Sequence, residues 1–179
     1  MKQGFWIGPL SLLLAVLTQL TLQPGGLEAL RFRLSGGEPY RPALEATILQ
    51  FNRNYATFFD TGGLTIGLSE FPATDLVKRR IFHDINIWRA AGLWLIHDKQ
   101  ALEITEAVAL SPERAIVDTR EFWQIWPKNA ETGTKGRGSK SAKIKTRYFL
   151  YRDEGTWKVW DYIVYDESDV MPPVERERL

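Results

Sequence analysis

Two segments repeat apolar residues every three or four positions, which is the spacing of an amphipathic helix. The first follows Pro39 and ends at Thr61–Gly63; the second follows Pro72, with Thr74 as a capping residue, and ends at Gly92. Their apolar faces consist of Leu44, Ile48, Phe51, Tyr55 and Phe58 in the first and Val77, Ile81, Ile85 and Trp88 in the second. The pattern therefore predicts two helices ahead of any strand.

After Gly92 apolar and polar residues alternate with a period of two, which is typical of half-buried strands. The extended runs cover 93–98, 101–110, 115–126, 142–152 and 156–165, and a polar loop rich in glycine and lysine occupies 127–141. No helical pattern separates these runs, as parallel crossovers would require, so we expect an antiparallel meander. Helices followed by such a meander predict an α+β fold.

Two carboxylates fall on the apolar faces of neighbouring predicted strands. If the apolar faces of the runs 101–110 and 115–126 share one side, Leu110 pairs with Ala115, which places Glu106 opposite Thr119 and Ile104 opposite Glu121. An ionised carboxylate facing an apolar interior is costly unless it is paired, and such groups often bind something or shift their pKa.

One interpretation is a pocket lined by Glu106, Glu121, Trp123 and Tyr148, in which a carboxylate acts as general base near the tyrosine. The alternative is structural: the carboxylates form salt bridges with arginines near them in the sequence, such as Arg120 or Arg147, or lie at a sheet edge. Strand alternation points Arg147 away from Tyr148, which argues against it as a partner inside the fold.

The N-terminal residues 5–22 form an uncharged stretch of 18 residues preceded only by Lys2. This length is at the lower limit for a membrane-spanning helix and longer than the core of a typical signal peptide. An uncleaved anchor is the favoured prediction, and a cleaved signal peptide or a buried helix are the alternatives. We expect the folded part to lie outside the cytoplasm, either as a single-pass membrane protein or, after cleavage, as a secreted, lumenal or periplasmic one.

Composition narrows the function classes. The chain has 179 residues, 44% of them hydrophobic, so it can form one domain with its own core. It contains no cysteine, which excludes disulfides, zinc–thiolate sites and a cysteine nucleophile. The formal net charge is +1, from 23 basic and 22 acidic residues, and a balanced domain lacks the positive field that nucleic-acid binding needs. The two histidines, His83 and His97, do not have the spacing of metal ligands, so neither a metal nor a cofactor is predicted.

The polar loop and the strand after it are strongly basic. Residues 128–145 hold six basic residues and one acid, Glu131. The segment 133–140 superficially resembles a phosphate-binding loop, but a strand rather than a helix follows it, which argues against that function. We expect either a solvated hairpin or a surface that contacts anionic lipid through Lys135, Arg137 and Lys140.

The C-terminal segments Thr146–Leu150 (TRYFL) and Gly155–Val159 (GTWKV) resemble the hairpin of the NTF2-like domain that ends plastid- and cyanobacterial-type division proteins, the IMS domain. Glu121, in a strand upstream, fits the same pattern. The resemblance covers roughly residues 40–165. It implies an NTF2-like cone, in which two or three N-terminal helices pack on a curved antiparallel sheet of about four strands. It also implies that a homodimer through the outer sheet face is one form the protein can take.

The sequence thus predicts four regions: 1–29 as signal anchor or signal peptide, 30–41 as tether, 42–165 as NTF2-like domain and 166–179 as charged tail. The first functional hypothesis is a non-catalytic, membrane-tethered module that binds a protein partner or a small apolar ligand. Its binding residues would be Glu121, Trp123, Tyr148, Trp160 and Tyr162, with Trp160 and Tyr162 in an outward apolar strip. The second hypothesis is a small isomerase or dehydratase that uses Glu106 or Glu121 as base and Tyr148 as donor.

Overall fold

The computed structural model describes residues 38–63 and 70–174, together with Phe32. The predicted anchor over 1–29, most of the tether over 30–41 and the last five residues of the tail lie outside the described residues. Within the described ranges, no helix is both long and apolar enough to cross a membrane.

Both predicted helices are present. Helix α1 runs Arg41–Asp60 after a short 3-10 turn at Glu38–Tyr40, and helix α2 runs Asp75–Ala90. The Thr74 hydroxyl caps α2 by accepting a hydrogen bond from the Val77 amide at 3.4 Å. After α1 the chain turns through Gly62 with φ of 62°, where an added Cβ would overlap the indole ring of Trp94. Only glycine fits both the backbone and the space at this turn.

Four long strands follow: β1 (Leu93–Ala109), β2 (Arg114–Asn129), β3 (Lys140–Asp153) and β4 (Thr156–Asp166). They form one antiparallel sheet in the order β1-β2-β3-β4, which confirms the predicted meander. The runs predicted at 93–98 and 101–110 are a single strand, because the ladder continues past a bulge between Lys99 and Ala101.

The predicted register between β1 and β2 is wrong. Leu110 lies in the turn instead of pairing with Ala115, whose partner is Ala109. A second irregularity between Ile104 and Glu106 inserts one extra residue, so that Leu102, rather than Ile104, lies opposite Glu121. Because side chains alternate between the two faces, the one-residue difference at the turn places Glu106 beside Asp118 on the face opposite Glu121.

The core lies between α1, α2 and one face of the sheet. Leu44 and Ile48 of α1 are fully buried, as are Val117 of β2 and Leu150 of β3. Phe51 is central, since its ring packs within 6.3 Å, centroid to centroid, of four other aromatic rings: Tyr55, Phe71, Tyr148 and Tyr162. This face of the sheet, called the inner face below, is filled by side chains from both layers.

The predicted outward strip on β4 needs one correction. Trp157 is buried and Trp160 is 45% exposed, so these two residues face opposite sides as expected. Tyr162, however, packs against the core, because an irregularity between Phe149 and Leu150 in the β3–β4 ladder leaves Trp160 as an extra residue. Val164 is exposed but pairs with Thr146 on the inner side, so the exposed apolar residues on the outer face of β4 are Trp160 and Ile163.

Candidate functional site

The polar centre of the inner face is the carboxylate of Glu121, which is only 5% exposed. Its Oε1 accepts hydrogen bonds from the Thr119 hydroxyl and the Tyr148 hydroxyl, each at 2.7 Å. Its Oε2 accepts one from the Trp123 indole N–H, also at 2.7 Å. Both oxygens of this buried carboxylate are therefore engaged by uncharged donors of the same chain, which offsets the cost of burying the charge.

Strand geometry explains how this network forms. Thr119, Glu121 and Trp123 alternate along β2, so all three point to the inner face. Tyr148 lies on β3 opposite Val117 and reaches Glu121 diagonally across the ladder. Asn52 of α1 completes the set, since its amide nitrogen donates to the Tyr148 hydroxyl at 3.1 Å. The network thus joins the helix layer to the two central strands.

Burial controls the ionisation of the tyrosines at this site. Burial, followed by the nearby charge of Glu121, raises the pKa of Tyr148 well above its usual range. Burial likewise raises the pKa of Tyr55, which packs edge-to-face on Trp123 at 6.1 Å between ring centroids. Both side chains remain neutral phenols, so Tyr148 acts as a hydrogen-bond donor to the carboxylate.

One cation lies at the edge of the network. The ammonium of Lys99 stands 5.9 Å from the centroid of the Trp123 ring, and the side chain is half-buried. Burial lowers the pKa of Lys99, while the charge of Glu121 raises it and that of Arg53 lowers it further. Lys99 therefore adds a positive charge beside a network whose hydrogen-bond donors are all uncharged.

The residues proposed from the sequence divide between two faces. Glu121, Trp123 and Tyr148 come together on the inner face as predicted, and Tyr162 joins them there, 6.1 Å from Tyr148 between ring centroids. Glu106 is exposed and belongs to the other face, so the pair of carboxylates envisaged in one pocket is not formed. Trp160 also lies apart from the network, with its ring tilted against that of Phe149 at 5.8 Å between centroids.

Sequence reasoning missed two members of the network and one buried ion pair. Thr119 could have been found by alternation, because it lies two residues from Glu121. Asn52 could have been found as a polar residue four positions after Ile48 on the apolar side of α1. The ion pair joins Arg147 to Asp118 through two hydrogen bonds of 2.8 and 2.6 Å on the face opposite Glu121. Its hydrogen bond to Asp118 raises the pKa of Arg147.

His97 lies on β1 at the inner face, 4.1 Å from Phe59 between ring centroids. Its backbone N–H donates to the Asp60 carboxylate at 3.1 Å, and its ring Nδ1 lies 3.1 Å from the Leu95 carbonyl oxygen. Burial lowers the pKa of His97 to about 4. His83 is exposed on α2. Among the described residues, no group of three or more acidic or histidine side chains is arranged to hold a metal ion.

No protein-family model matches the chain, and no curated protein matches it by sequence. Its fold is similar to the crystal structure of the intermembrane space region of the chloroplast protein ARC6, with a TM-score of 0.57 and 14% identity over 69% of this chain and 94% of that one. The Aln2 protein of a Streptomyces species also matches, with a TM-score of 0.42 and 14% identity over 70% of this chain and 92% of that one. The first similarity supports the α+β fold predicted from the sequence, with helices packed on a four-stranded antiparallel sheet. At this identity it is a similarity of fold.

Proposed function

We propose that this protein is a non-catalytic, NTF2-like module that binds a protein partner and is held at a membrane by residues 5–22. The observation that carries the proposal is the state of Glu121. Both of its oxygens accept short hydrogen bonds from side chains of the same chain, in an interior filled by aromatic rings. A general base needs a free oxygen within reach of a substrate proton, whereas a structural carboxylate needs satisfied oxygens.

The proposed partner surface is the exposed apolar strip on the outer face of β4, formed by Trp160 and Ile163. Their exposed fractions are 45% and 43%, and an exposed patch of large apolar side chains is the kind of surface that marks an interaction site. Aromatic residues of this kind are enriched at the centres of protein interfaces. The strip fits a partner segment with apolar side chains, and a second copy of this chain is the alternative occupant.

The proposed location rests on two observations. The uncharged N-terminal stretch supports a single-pass anchor with the domain outside the cytoplasm. The fold is similar to a region of a chloroplast protein that lies in an intermembrane space, which is consistent with a folded domain held next to a membrane. The finer resemblance to the IMS domain of division-type proteins, carried by the TRYFL and GTWKV segments, belongs to this proposal.

Site-specific photo-crosslinking in native membranes tests the partner surface. A photoreactive residue at Ile163 should crosslink to one protein, and the same residue at Arg79, exposed on α2, should not. The substitution Trp160→Ala should reduce the crosslink at Ile163 at least about fivefold, because a buried aromatic anchor is typically worth more than 1 kcal/mol. Crosslinks that are equal at both positions, or insensitive to Trp160→Ala, would contradict the proposed surface. A crosslink to the same chain would identify a homodimer.

The enzyme hypothesis requires that Glu121 has a free oxygen when a substrate is bound. If the carboxylate acts as a general base, a small apolar ligand must displace the Thr119, Tyr148 or Trp123 donor on binding. Ligand-induced change of the Trp123 indole N–H resonance would then support the isomerase or dehydratase alternative over the binding module. An unchanged resonance across a library of small apolar carbonyl compounds would support the module.

A further inference from the structure

The hairpin that joins β2 to β3 combines basic side chains with tryptophans at one end of the sheet. Trp94 of β1 pairs with Lys128 of β2, and Ile96 pairs with Trp126, so these residues share one face of the ladder. The ammonium of Lys128 lies 5.5 Å from the centroid of the Trp94 ring, and that of Lys135 lies 4.3 Å from the centroid of Trp126. Each of these two tryptophans thus carries a lysine over its ring.

The remaining basic residues of the segment fall into two groups. Lys143 and Lys145 turn towards the C-terminal segment, where they approach Glu167 and donate to the Asp169 carbonyl oxygen. Arg137 and Lys140 are exposed, and within the described part of the chain they form no ion pair. We call Lys128, Lys135, Arg137 and Lys140, with Trp94 and Trp126, the hairpin patch.

Charge is distributed unevenly between this hairpin and the rest of the chain. Residues 128–145 carry a net charge of +5, from six basic residues and Glu131. The rest of the chain has 17 basic and 21 acidic residues, a net charge of −4. Such a polarised molecule turns its basic end towards a negatively charged surface.

We propose that the hairpin patch is a docking surface for a bilayer that contains anionic phospholipid. Lysine and arginine near such a surface gain free energy from its negative potential, and tryptophan favours the level of the headgroups. Because Lys128 and Lys135 each lie over an indole ring, the hairpin patch presents positive charge and tryptophan at the same place. This inference goes beyond the proposed partner binding but relies on the same membrane anchor, which holds the domain close to a surface.

The absence of cysteine from the chain makes a site-specific test practical. In the full chain, Ser139→Cys places a single thiol next to Lys140, at an exposed position where a cysteine is nearly isosteric. Thr156→Cys places one in the hairpin at the other end of β3, roughly 40 Å away along the strand. Each is labelled with an environment-sensitive fluorophore and reconstituted in vesicles of phosphatidylcholine, with or without about 30 mol% phosphatidylglycerol.

We expect the label at position 139 to shift to shorter wavelength, and to be quenched by nitroxide-labelled lipid, only in the vesicles with phosphatidylglycerol. About 1 M salt should abolish the effect, since the screening length then falls to about 3 Å. The label at position 156 should not respond. Replacing Lys135, Arg137 and Lys140 with Gln should weaken the contact about a hundredfold, whereas replacing Lys78, Arg79 and Arg114, which removes the same charge elsewhere, should leave it unchanged.

Equal spectra of the label at position 139 in the two kinds of vesicle would overturn the proposal. So would an unchanged response in the triple Gln variant of the patch. Inorganic phosphate or a nucleic acid that produces the same shift on phosphatidylcholine vesicles would show a general anion site instead of a lipid surface. Co-flotation of the chain with both kinds of vesicle reports the N-terminal anchor separately, so failure of the anchor and failure of the patch are distinguishable.

Discussion

At the scale of single residues, the central group of the inner face is the Glu121 carboxylate, which accepts hydrogen bonds and does not donate them. The donors around Glu121 are two hydroxyls and an indole N–H, and only the hydroxyls can also accept. Trp123 donates to Oε2, and an indole N–H can only donate. Reorienting a hydroxyl can change the hydrogen bonds to Oε1, whereas the hydrogen bond from Trp123 to Oε2 has a donor that can play no other role.

This bond predicts a large coupling between the two side chains. The substitution Trp123→Phe leaves Oε2 of a buried carboxylate without its donor, and we expect it to lower the free energy of unfolding by about 2–3 kcal/mol. In a Glu121→Met background the same substitution should cost less, so a double-mutant cycle measured by urea unfolding should give a coupling of about 1.5 kcal/mol or more.

Trp160→Phe provides the matched control for that cycle, because it makes the same change at a residue that is 45% exposed. We expect it to alter the free energy of unfolding by no more than about 0.5 kcal/mol. A coupling energy between Trp123 and Glu121 near zero would mean that the carboxylate is held by packing alone, and it would reopen the question of a catalytic role.

At the scale of the elements, two added residues determine which face each side chain occupies. Gln100 and Thr105 are the extra residues of β1, and each shifts the pairing of β1 with β2 by one position. The helices and the strands could be predicted because their periodicity is local. The faces of Glu106 and Tyr162 could not, because a one-residue change at a turn, as for Glu106, or a bulge, as for Tyr162, leaves the alternation of the sequence intact while shifting its pairing.

The same limit applies to the ion pair between β2 and β3. Asp118 and Arg147 are 29 residues apart and meet only because the ladder places them directly opposite each other. Sequence alternation predicted correctly that Arg147 points away from Tyr148, but not which carboxylate it meets. Pairwise contacts of this kind depend on register, and register depends on turns and bulges that composition does not determine.

This pair predicts non-additive stability. Asp118→Val leaves the buried Arg147 guanidinium unpaired, and we expect a loss of about 3 kcal/mol. The double variant Asp118→Val with Arg147→Met should return to within about 1 kcal/mol of the native chain in urea unfolding.

The cross-strand pair of Glu103 and Arg120 is the control, since its side chains are each 67% exposed and 4.0 Å apart. Replacing both should change the free energy of unfolding by less than about 0.5 kcal/mol. If the variants of Asp118 and Arg147 behave in the same way, the ion pair does not contribute to the sheet.

At the scale of the whole molecule, stability should depend on pH through His97. Its folded-state pKa is about 4, below the unfolded value of about 6.5, because burial disfavours the charged ring. The unfolded chain therefore binds a proton between these values that the folded chain does not, so stability is complete above pH 6.5 and falls as the pH drops towards 4. At pH 5 the loss should be about 2 kcal/mol.

Urea unfolding of the native chain and of His97→Phe at pH 7 and pH 5 measures this contribution. The variant should lose the His97 part of the pH dependence, while His83→Gln, at an exposed position, should keep it. Burial raises the pKa of Asp60, which contributes with the opposite sign, and the comparison between native chain and variant subtracts it. Equal pH dependence in the native chain and in His97→Phe would contradict the assignment.

The length of β3 has a consequence for how the molecule stands on a surface. The basic turn precedes Lys140 at one end of this strand, and Ile163 on β4 pairs with Arg147, seven residues further along. If the turn rests on lipid headgroups as proposed, and β3 stands along the membrane normal, the strand holds Ile163 roughly 20 Å above them. A partner protein would then bind at a fixed distance from the headgroup layer. A partner segment too short to extend over that distance could not reach the strip on β4.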